Sequence, residues 1–574
     1  MKLEPKKYYS YVQSKGTTRE EMGPLIVDGN RLITENREKV EAFCTYFRSV
    51  LRADTAISPT SHHAPAATVG DLDITEDQVL KVLKGLQASK APGPDGIHPA
   101  IIKPIADIIA GPICRLYQMS LDQGRLPSDW KTAAVVALHK GGAKTDFKNY
   151  RPVSLTSVVC KTLEKIVKSH LVVHLEQYKL MSETQHGFTK QRSCLTNLLC
   201  FLEEVTSKLD ENKTVEVAYL DFSKAFDSVN QRLLLFKLKN FGIQGQLHNW
   251  ISAFLSRRSF FVRVGEECSA PVQLISGVPQ GSVLGPLLFL LYINDLPNTL
   301  KSSCYIFADD VKVVGSNGRE DLERDLLEVA QWARTWDLSL NASKSHVLTG
   351  ANNRLEVNTG GDHLIIEPVR QVRDLGITIT SSLTWADQCA LAARKARGEL
   401  FKLRSVLSCK RPEVFLTYYK AIVRPHLEYC IQAWSPFFKK DAACLEKVQR
   451  LATKMIEGQR GKTYIVRPNS LGLFSLERRR LRGDMIETFK IMKGFTGIKI
   501  GDLFTETLES RTRGHTCKLL KKRCRLNLRK YFFSNRVING WNSLPRELVG
   551  LESVHTFKAA LDAKWLDLFP DIDA

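Results

Sequence analysis

Thirteen cysteines are present, but none form a Cys-x-x-Cys pair and none has histidines at ligand spacing. A zinc finger or ribbon is therefore excluded. Cys114, Cys160, Cys200 and Cys430 sit inside apolar runs, which suits small buried hydrophobes in a reducing compartment. Long apolar runs are missing too. The longest, Val283 to Ile293, is broken by Gly285-Pro286 and is too short to cross a bilayer. The first residues, Met-Lys-Leu-Glu-Pro-Lys-Lys, hold no apolar signal core, so a soluble intracellular protein with no membrane partner is expected. Acids are few relative to bases, 61 against 82, leaving a formal net charge of +21. That balance favours a polyanionic partner, nucleic acid first. An anionic membrane surface is the weaker candidate, because the bases are spread over several helices and not gathered on one amphipathic face.

At 574 residues, with hydrophobic content of 43%, the chain is folded protein divided into about three or four domains. Apolar residues at 40, 43, 46, 47 and 50 keep a helical period. Between Ala53 and Gly70 the composition turns to Ala, Ser, Thr, Pro and His, the signature of a mobile linker. Thr75 then caps a helix through Leu86, and a second helix runs from about Ala100 to Asp122. Between them lies Ser89 to Ile97, a Pro/Gly-dense loop whose amides could approach a phosphate or merely turn the chain. Thr132 to Leu138 reads as a strand, and Lys140 and Arg151 flank the excursion after it, where they could grip a triphosphate. A long helix is expected from Val158 to Gln177, ahead of Gln185-His186-Gly187-Phe188. From about 130 to 380 helices and strands alternate, which argues for a mixed sheet backed by helices.

Within that region two segments carry acids at strand ends. Cys304 to Val314 holds an apolar run, Asp309-Asp310, and a β-branched run, so it reads as a tight hairpin with both carboxylates at its tip. Val215 to Phe222 is a strand ending in Asp221, followed by a helix from Ser223 to Lys239. Adjacent acids on one strand point to opposite faces, so carboxylates converge better from separate strand ends. Like charges held together invite a cation. Phe260 to Ile275 forms a further hairpin, and Ser276 to Pro286 is a loop shaped by three glycines and two prolines. Val372 to Ile379 reads as a strand. Beyond Trp385 the chain is helical and basic, with Arg394, Lys395, Arg397, Lys402 and Arg404 on one helix and Lys447, Arg450 and Lys454 on another. The segment from 505 to 540 carries Arg511, Arg513, Lys518, Lys521, Lys522, Arg523, Arg525, Arg529 and Lys530. Among them Tyr531, Phe532, Phe533 and Trp541 are either stacking platforms for bases or a small core.

Six motifs stand in one order: Lys90-Ala91-Pro92-Gly93-Pro94-Asp95-Gly96, Tyr150 to Leu155, Asp221-Phe222-Ser223-Lys224-Ala225-Phe226-Asp227, Gly277-Val278-Pro279-Gln280-Gly281-Ser282, Phe307-Ala308-Asp309-Asp310 and Leu340-Asn341-Ala342-Ser343-Lys344. Together they resemble the reverse transcriptases of non-long-terminal-repeat (LINE-type) retrotransposons, of the jockey and chicken-repeat kind. The resemblance implies an α+β right-hand polymerase with an antiparallel palm sheet backed by helices. Residues 1–70 would be an N-terminal helix and linker, 75–380 fingers and palm, 385–470 a helical thumb, and 471–574 a basic C-terminal region. It also implies an RNA-directed DNA polymerase that uses two Mg²⁺ ions, or Mn²⁺, and takes an RNA template, a DNA primer or RNA–DNA hybrid, and dNTPs. Asp221, Asp309 and Asp310, with the Phe222 carbonyl, would hold the metals. Lys140 and Arg151 would hold the triphosphate, Phe226 would exclude a 2′-hydroxyl, and Gln280 and Gly281 would pack on the nucleotide. Lys344 would protonate the leaving pyrophosphate. Nuclear residence follows from the need to reach DNA and from Lys521-Lys522-Arg523. The N-terminal 70 residues leave no room for the endonuclease that such elements carry, and no ribonuclease H signature is seen. A catalytically silent nucleic-acid-binding remnant is the alternative, and a polymerase of RNA is disfavoured by Phe226.

Overall fold

The computed structural model describes residues 22–27, 31–52, 65, 67–315, 319–352, 354–358, 363–507 and 515–569. At its centre is a six-stranded sheet. Its order is Leu355–Asn358, His363–Val369, His346–Leu348, Glu216–Leu220, Asp310–Gly315 and Ser303–Phe307. The strand Asp310–Gly315 is buried from Val311 onward, because Val311, Val313 and Val314 meet helices on one face or the other. Neighbours are antiparallel except His346–Leu348 and His363–Val369, which run parallel. The sheet is thus mixed, as the alternation of helices and strands argued, and departs by this one pair from the antiparallel palm sheet that the resemblance implies. The chain leaves the inner strand, builds Leu355–Asn358 as the outermost one, and returns by a hairpin into the gap between them.

Helices Val158–Gln177, Gly285–Ile293 and Arg319–Thr335 share a core with this sheet. Gly285–Ile293 is apolar all round, and every residue from Leu287 to Ile293 is buried, as a helix with no solvent face must be. Its first turn is held from outside. The buried Glu164 accepts from the amides of Val283 (2.6 Å) and Leu284 (3.0 Å), which satisfies donors that a helix start leaves open.

A second sheet orders Tyr150–Leu155, Thr132–His139, Arg258–Val264 and Glu267–Cys268, with Val272–Leu274 also on Arg258–Val264. The helix Asn36–Ser49 lies on it and buries Phe43 and Phe47 beside Val262. A further core joins Ala386–Val406 and Lys439–Lys454 to Leu476–Met492, Trp541 and Trp565, so residues on both sides of position 470 fill it.

Several expected elements differ. The helix anticipated from Ala100 to Asp122 is two, Pro99–Ile102 and Ala106–Asp122. That from Ser223 to Lys239 breaks into Ala225–Ser228 and Gln231–Asn240, because the Asn230 side chain accepts from the Arg232 and Leu233 amides and starts a new helix. Val372 to Ile379 is a hairpin, Gln371–Asp374 against Ile377–Thr380, turned by Leu375 and Gly376 at φ 43° and 90°. Most of the expected linker, 53–64 and 66, lies outside the described residues. Its end does not hang free, since the Val69 amide donates to the Gly242 carbonyl at 2.9 Å.

The basic C-terminal segment is committed only in part, since Lys521, Lys522, Arg523 and Lys530 stay exposed. Phe532, Phe533 and Trp541 are buried core residues, not open platforms. Arg529 pairs with Glu203 at 2.7 Å, and Arg525 bonds the carbonyls of Leu209 and Asp210. Arg511 and Arg513 lie outside the described residues.

Candidate active site

Asp221 follows the end of strand Glu216–Leu220, and Asp310 opens the neighbouring strand Asp310–Gly315. The register pairs Val311 with Leu220, so both acids emerge at one edge of the sheet. Asp309 and Ala308 form the two-residue turn between Phe307 and Asp310, which are Cα partners. Ala308 takes φ 58°, a left-handed conformation that costs a residue with a Cβ about 1–2 kcal/mol. The turn is held from the side. The Ala308 amide donates to Gln185 Oε1 at 2.9 Å, and the Ile306 backbone bonds Thr184 and His186. The backbone of Gly187 lies so close that a Cβ there would fall 2.5 Å from the Ala308 nitrogen. The segment Gln185 to Gly187 therefore braces the outer edge of the hairpin, a role its sequence did not disclose.

Asp221 is anchored by the turn that carries Lys344. Its amide donates to Ser345 Oγ at 3.2 Å, and its carbonyl accepts from the Asn341 amide at 2.8 Å. Lys344 Nζ then stands 3.5 Å from Asp221 Oδ2, an oxygen that is buried without a hydrogen-bond partner. The Phe222 ring is in the core, edge-on to Trp332, so the side chain takes no part in the site.

Burial, then the nearby charge of Asp221, raises the Asp309 carboxyl, while Arg151 and Lys344 oppose the shift. The Asp310 carboxyl rises to about 6, first through crowding by surrounding protein although its tip reaches solvent, then through Asp309, Asp374 and Asp221. Among the described residues no three His, Cys, Asp or Glu side chains stand at the spacing of a formed metal site. The donor set nevertheless fits a hard divalent cation: three mutually repelling carboxylates, one with an orphaned oxygen, beside a carbonyl.

A ring of cations faces these acids. Lys140 continues the strand Thr132–His139, and Arg151 lies on its antiparallel partner. Burial lowers the Lys140 ammonium, and the charges of Lys224, Lys344 and Arg151 lower it further, with Asp221 opposing. Lys224 was no sequence candidate, although it stands inside the Asp221-to-Asp227 motif. It takes φ 50°, and its Nζ donates to Tyr46 Oη at 2.9 Å. Phe226 stacks on Phe289 with centroids 4.3 Å apart. Gln280 donates through Nε2 to Asp227 Oδ1, and Gly281, at φ 110°, is required because a Cβ would meet the Ser154 carbonyl at 2.4 Å.

The site thus gathers Asp221, Asp309, Asp310, Lys344, Lys140 and Arg151, and sets Phe226, Gln280 and Gly281 on the adjoining segments. Comparison with known proteins bears on the chain's family. Residues 139–379 match the family described as reverse transcriptase (RNA-dependent DNA polymerase). It is similar to the RNA-directed DNA polymerase from mobile element jockey of Drosophila melanogaster, 27% identical over 419 residues, covering 69% of this chain and 45% of the relative. It is likewise similar to the jockey enzyme of Drosophila funebris, 26% identical over 458 residues (76% and 49%), and to the probable RNA-directed DNA polymerase from transposon BS of Drosophila melanogaster, 26% identical over 409 residues (67% and 44%). The chain spans less than half the length of these relatives.

Proposed function

We propose that the chain is an RNA-directed DNA polymerase of a non-long-terminal-repeat retrotransposon. The observation that carries this reading is the meeting of three acids at one sheet edge with four cations, Lys140, Arg151, Lys224 and Lys344, whose charges bear on the same groups. Phosphoryl transfer needs little beyond positioning and charge neutralisation, and this set supplies both.

Two Mg²⁺ ions, or Mn²⁺ in their place, when bound by Asp221, Asp309, Asp310 and the Phe222 carbonyl, would activate a primer 3′-hydroxyl and neutralise the triphosphate. The protein's own part is as follows. Lys140 and Arg151 hold the triphosphate, Arg151 by a planar fork suited to phosphate oxygens. Lys344, 3.5 Å from Asp221, protonates the departing pyrophosphate. Phe226, fixed by its stack on Phe289, lies under the sugar and excludes a 2′-hydroxyl, while Gln280 and Gly281 close on the nucleotide.

In right-hand terms, residues 75–214 with part of 230–275 are fingers, 215–380 palm and 385–470 thumb. The exposed Arg394, Lys395, Arg397, Lys402 and Arg404 of helix Ala386–Val406 line one face, which suits the backbone of an RNA–DNA hybrid. The protein would work where it meets DNA, in the nucleus.

The test is primer extension on an RNA template with dNTPs. Wild type should extend the primer, and Asp309→Ala should lower the rate by at least about 1,000-fold, the scale on which electrostatic groups act in such sites. Salt-dependent hybrid binding by a folded protein that never extends would point instead to a silent remnant. Ribonucleotide incorporation as efficient as that of dNTPs would make it a polymerase of RNA.

A further inference from the structure

We propose that Asp227 is a positioning residue that fixes the Gln280 side chain, and with it the nucleotide-binding loop, in register with Phe226. The inference rests on the polymerase reading and adds a residue to it.

Four contacts tie the loop to the segment after Asp221. Gln280 Nε2 donates to Asp227 Oδ1 at 2.6 Å, and Ser276 Oγ donates to the Asp227 carbonyl at 2.8 Å. The Val278 amide donates to the Phe226 carbonyl at 2.9 Å, and the Gly277 amide to that of Val229 at 2.7 Å. Gly277 takes φ 82°, and a Cβ there would lie 2.7 Å from the Asp227 carbonyl oxygen, so the two strands of chain are in direct contact. On the far side the Ser154 amide donates to the Gln280 carbonyl at 2.9 Å, three residues along the strand from Arg151. The gate residue, the loop glutamine and the triphosphate arginine are therefore connected through a few bonds, and the one between Gln280 and Asp227 joins two side-chain tips.

That bond also sets the amide's direction. A carboxylate accepts and cannot donate, so it takes the nitrogen of Gln280 and leaves the carbonyl oxygen and second N–H for a ligand. Burial raises the Asp227 carboxyl, while the Gln280 bond and the charges of Lys224 and Arg151 oppose that shift and favour its ionised, accepting form. Without this bond the amide is free to rotate, and a nucleotide would have to order it on binding.

The experiment measures KM for dNTP and kcat on an RNA template, equilibrium binding of a fluorescent dATP analogue, and thermal melting, for wild type and four variants. Asp227→Leu, which removes the acceptor and puts a larger apolar side chain in its place, should raise KM and the binding constant about 10-fold with kcat changed less than about threefold. Asp227→Asn, whose amide oxygen still accepts, should stay within about threefold of wild type on both readouts. Gln280→Ala should match Asp227→Leu, and the double variant should be no worse than either alone, since the two act as one unit. Should Asp227→Leu fail to melt cooperatively, Asp227→Ser, too short to bridge, replaces it. A merely structural Asp227 would lower the melting temperature and leave KM and binding unchanged; that result, or additive effects in the double variant, overturns the proposal. A wild type that does not extend sinks the polymerase reading, while the binding comparison still decides the role of Asp227.

Discussion

Lys312 stands two residues along the strand from Asp310 and is buried against Asn197 Oδ1 at 2.6 Å and Asp374 Oδ2 at 2.7 Å, with the Phe201 ring 4.6 Å from its ammonium. Its side chain is 2% exposed and that of Asp374 4%, so water screens neither. Lys312→Met alone should cost about 3–5 kcal/mol, because it strands Asp374 as an unpaired buried charge, whereas Lys312→Met with Asp374→Leu should regain most of that loss. Denaturant unfolding of the two variants checks this, and equal losses would refute it. Asp227 supplies a pH signature of a different kind. Burial first raises its carboxyl to about 6, with Gln280, Lys224 and Arg151 opposing. The folded chain then keeps a proton that the unfolded chain has released, so this contribution is full below pH about 4 and is lost as pH rises through about 6. Asp227→Asn should flatten the fall of melting temperature between those values, and an unchanged slope would show that the carboxyl titrates normally.

At the scale of elements, the acidic hairpin depends on a neighbour that has no regular structure of its own. Gly187→Ala would thrust a methyl group to 2.5 Å from the Ala308 nitrogen and 3.0 Å from the Phe307 carbonyl carbon. The turn must shift, and with misplacement on the order of 1 Å the rate of primer extension should fall about 100-fold, measured beside a melting curve that shows the fold intact. Local pattern revealed the strands that bear the acids, because an apolar run ending in Asp is a short-range signal. It gave the bounds of Val158–Gln177 for the same reason, with Ser157 accepting from the Cys160 amide at its start. Local pattern missed the brace, since nothing in Gln185-His186-Gly187 announces that its partner is Ile306. It also missed the break at Asn230, where a side-chain cap overrides a continuous apolar period.

The whole molecule shows the same limit more strongly. Arg529 and Glu203 are 326 positions apart, and their pairing cannot be read from either neighbourhood, so cations counted as a nucleic-acid tail are in part internal ties. The exposed bases of helices Ala386–Val406 and Lys439–Lys454 face water, and so do Lys521, Lys522, Arg523 and Lys530 of the C-terminal segment. Glu203→Ala should cost about 3–5 kcal/mol by stranding Arg529, whose side chain is 8% exposed. Thermal melting in low and high salt would check it, with a small, salt-independent loss counting against the assignment.

The core that spans position 470 has a practical side for protein production. Ending the chain at residue 470 would remove Phe489, Phe533, Trp541, Phe557 and Trp565, all fully buried. It would leave the apolar side of Ala386–Val406 and Lys439–Lys454 bare to water. Such a fragment should collect in inclusion bodies, whereas the full chain should stay in the soluble fraction. The last hundred residues are in that sense the floor on which the polymerase-like part stands.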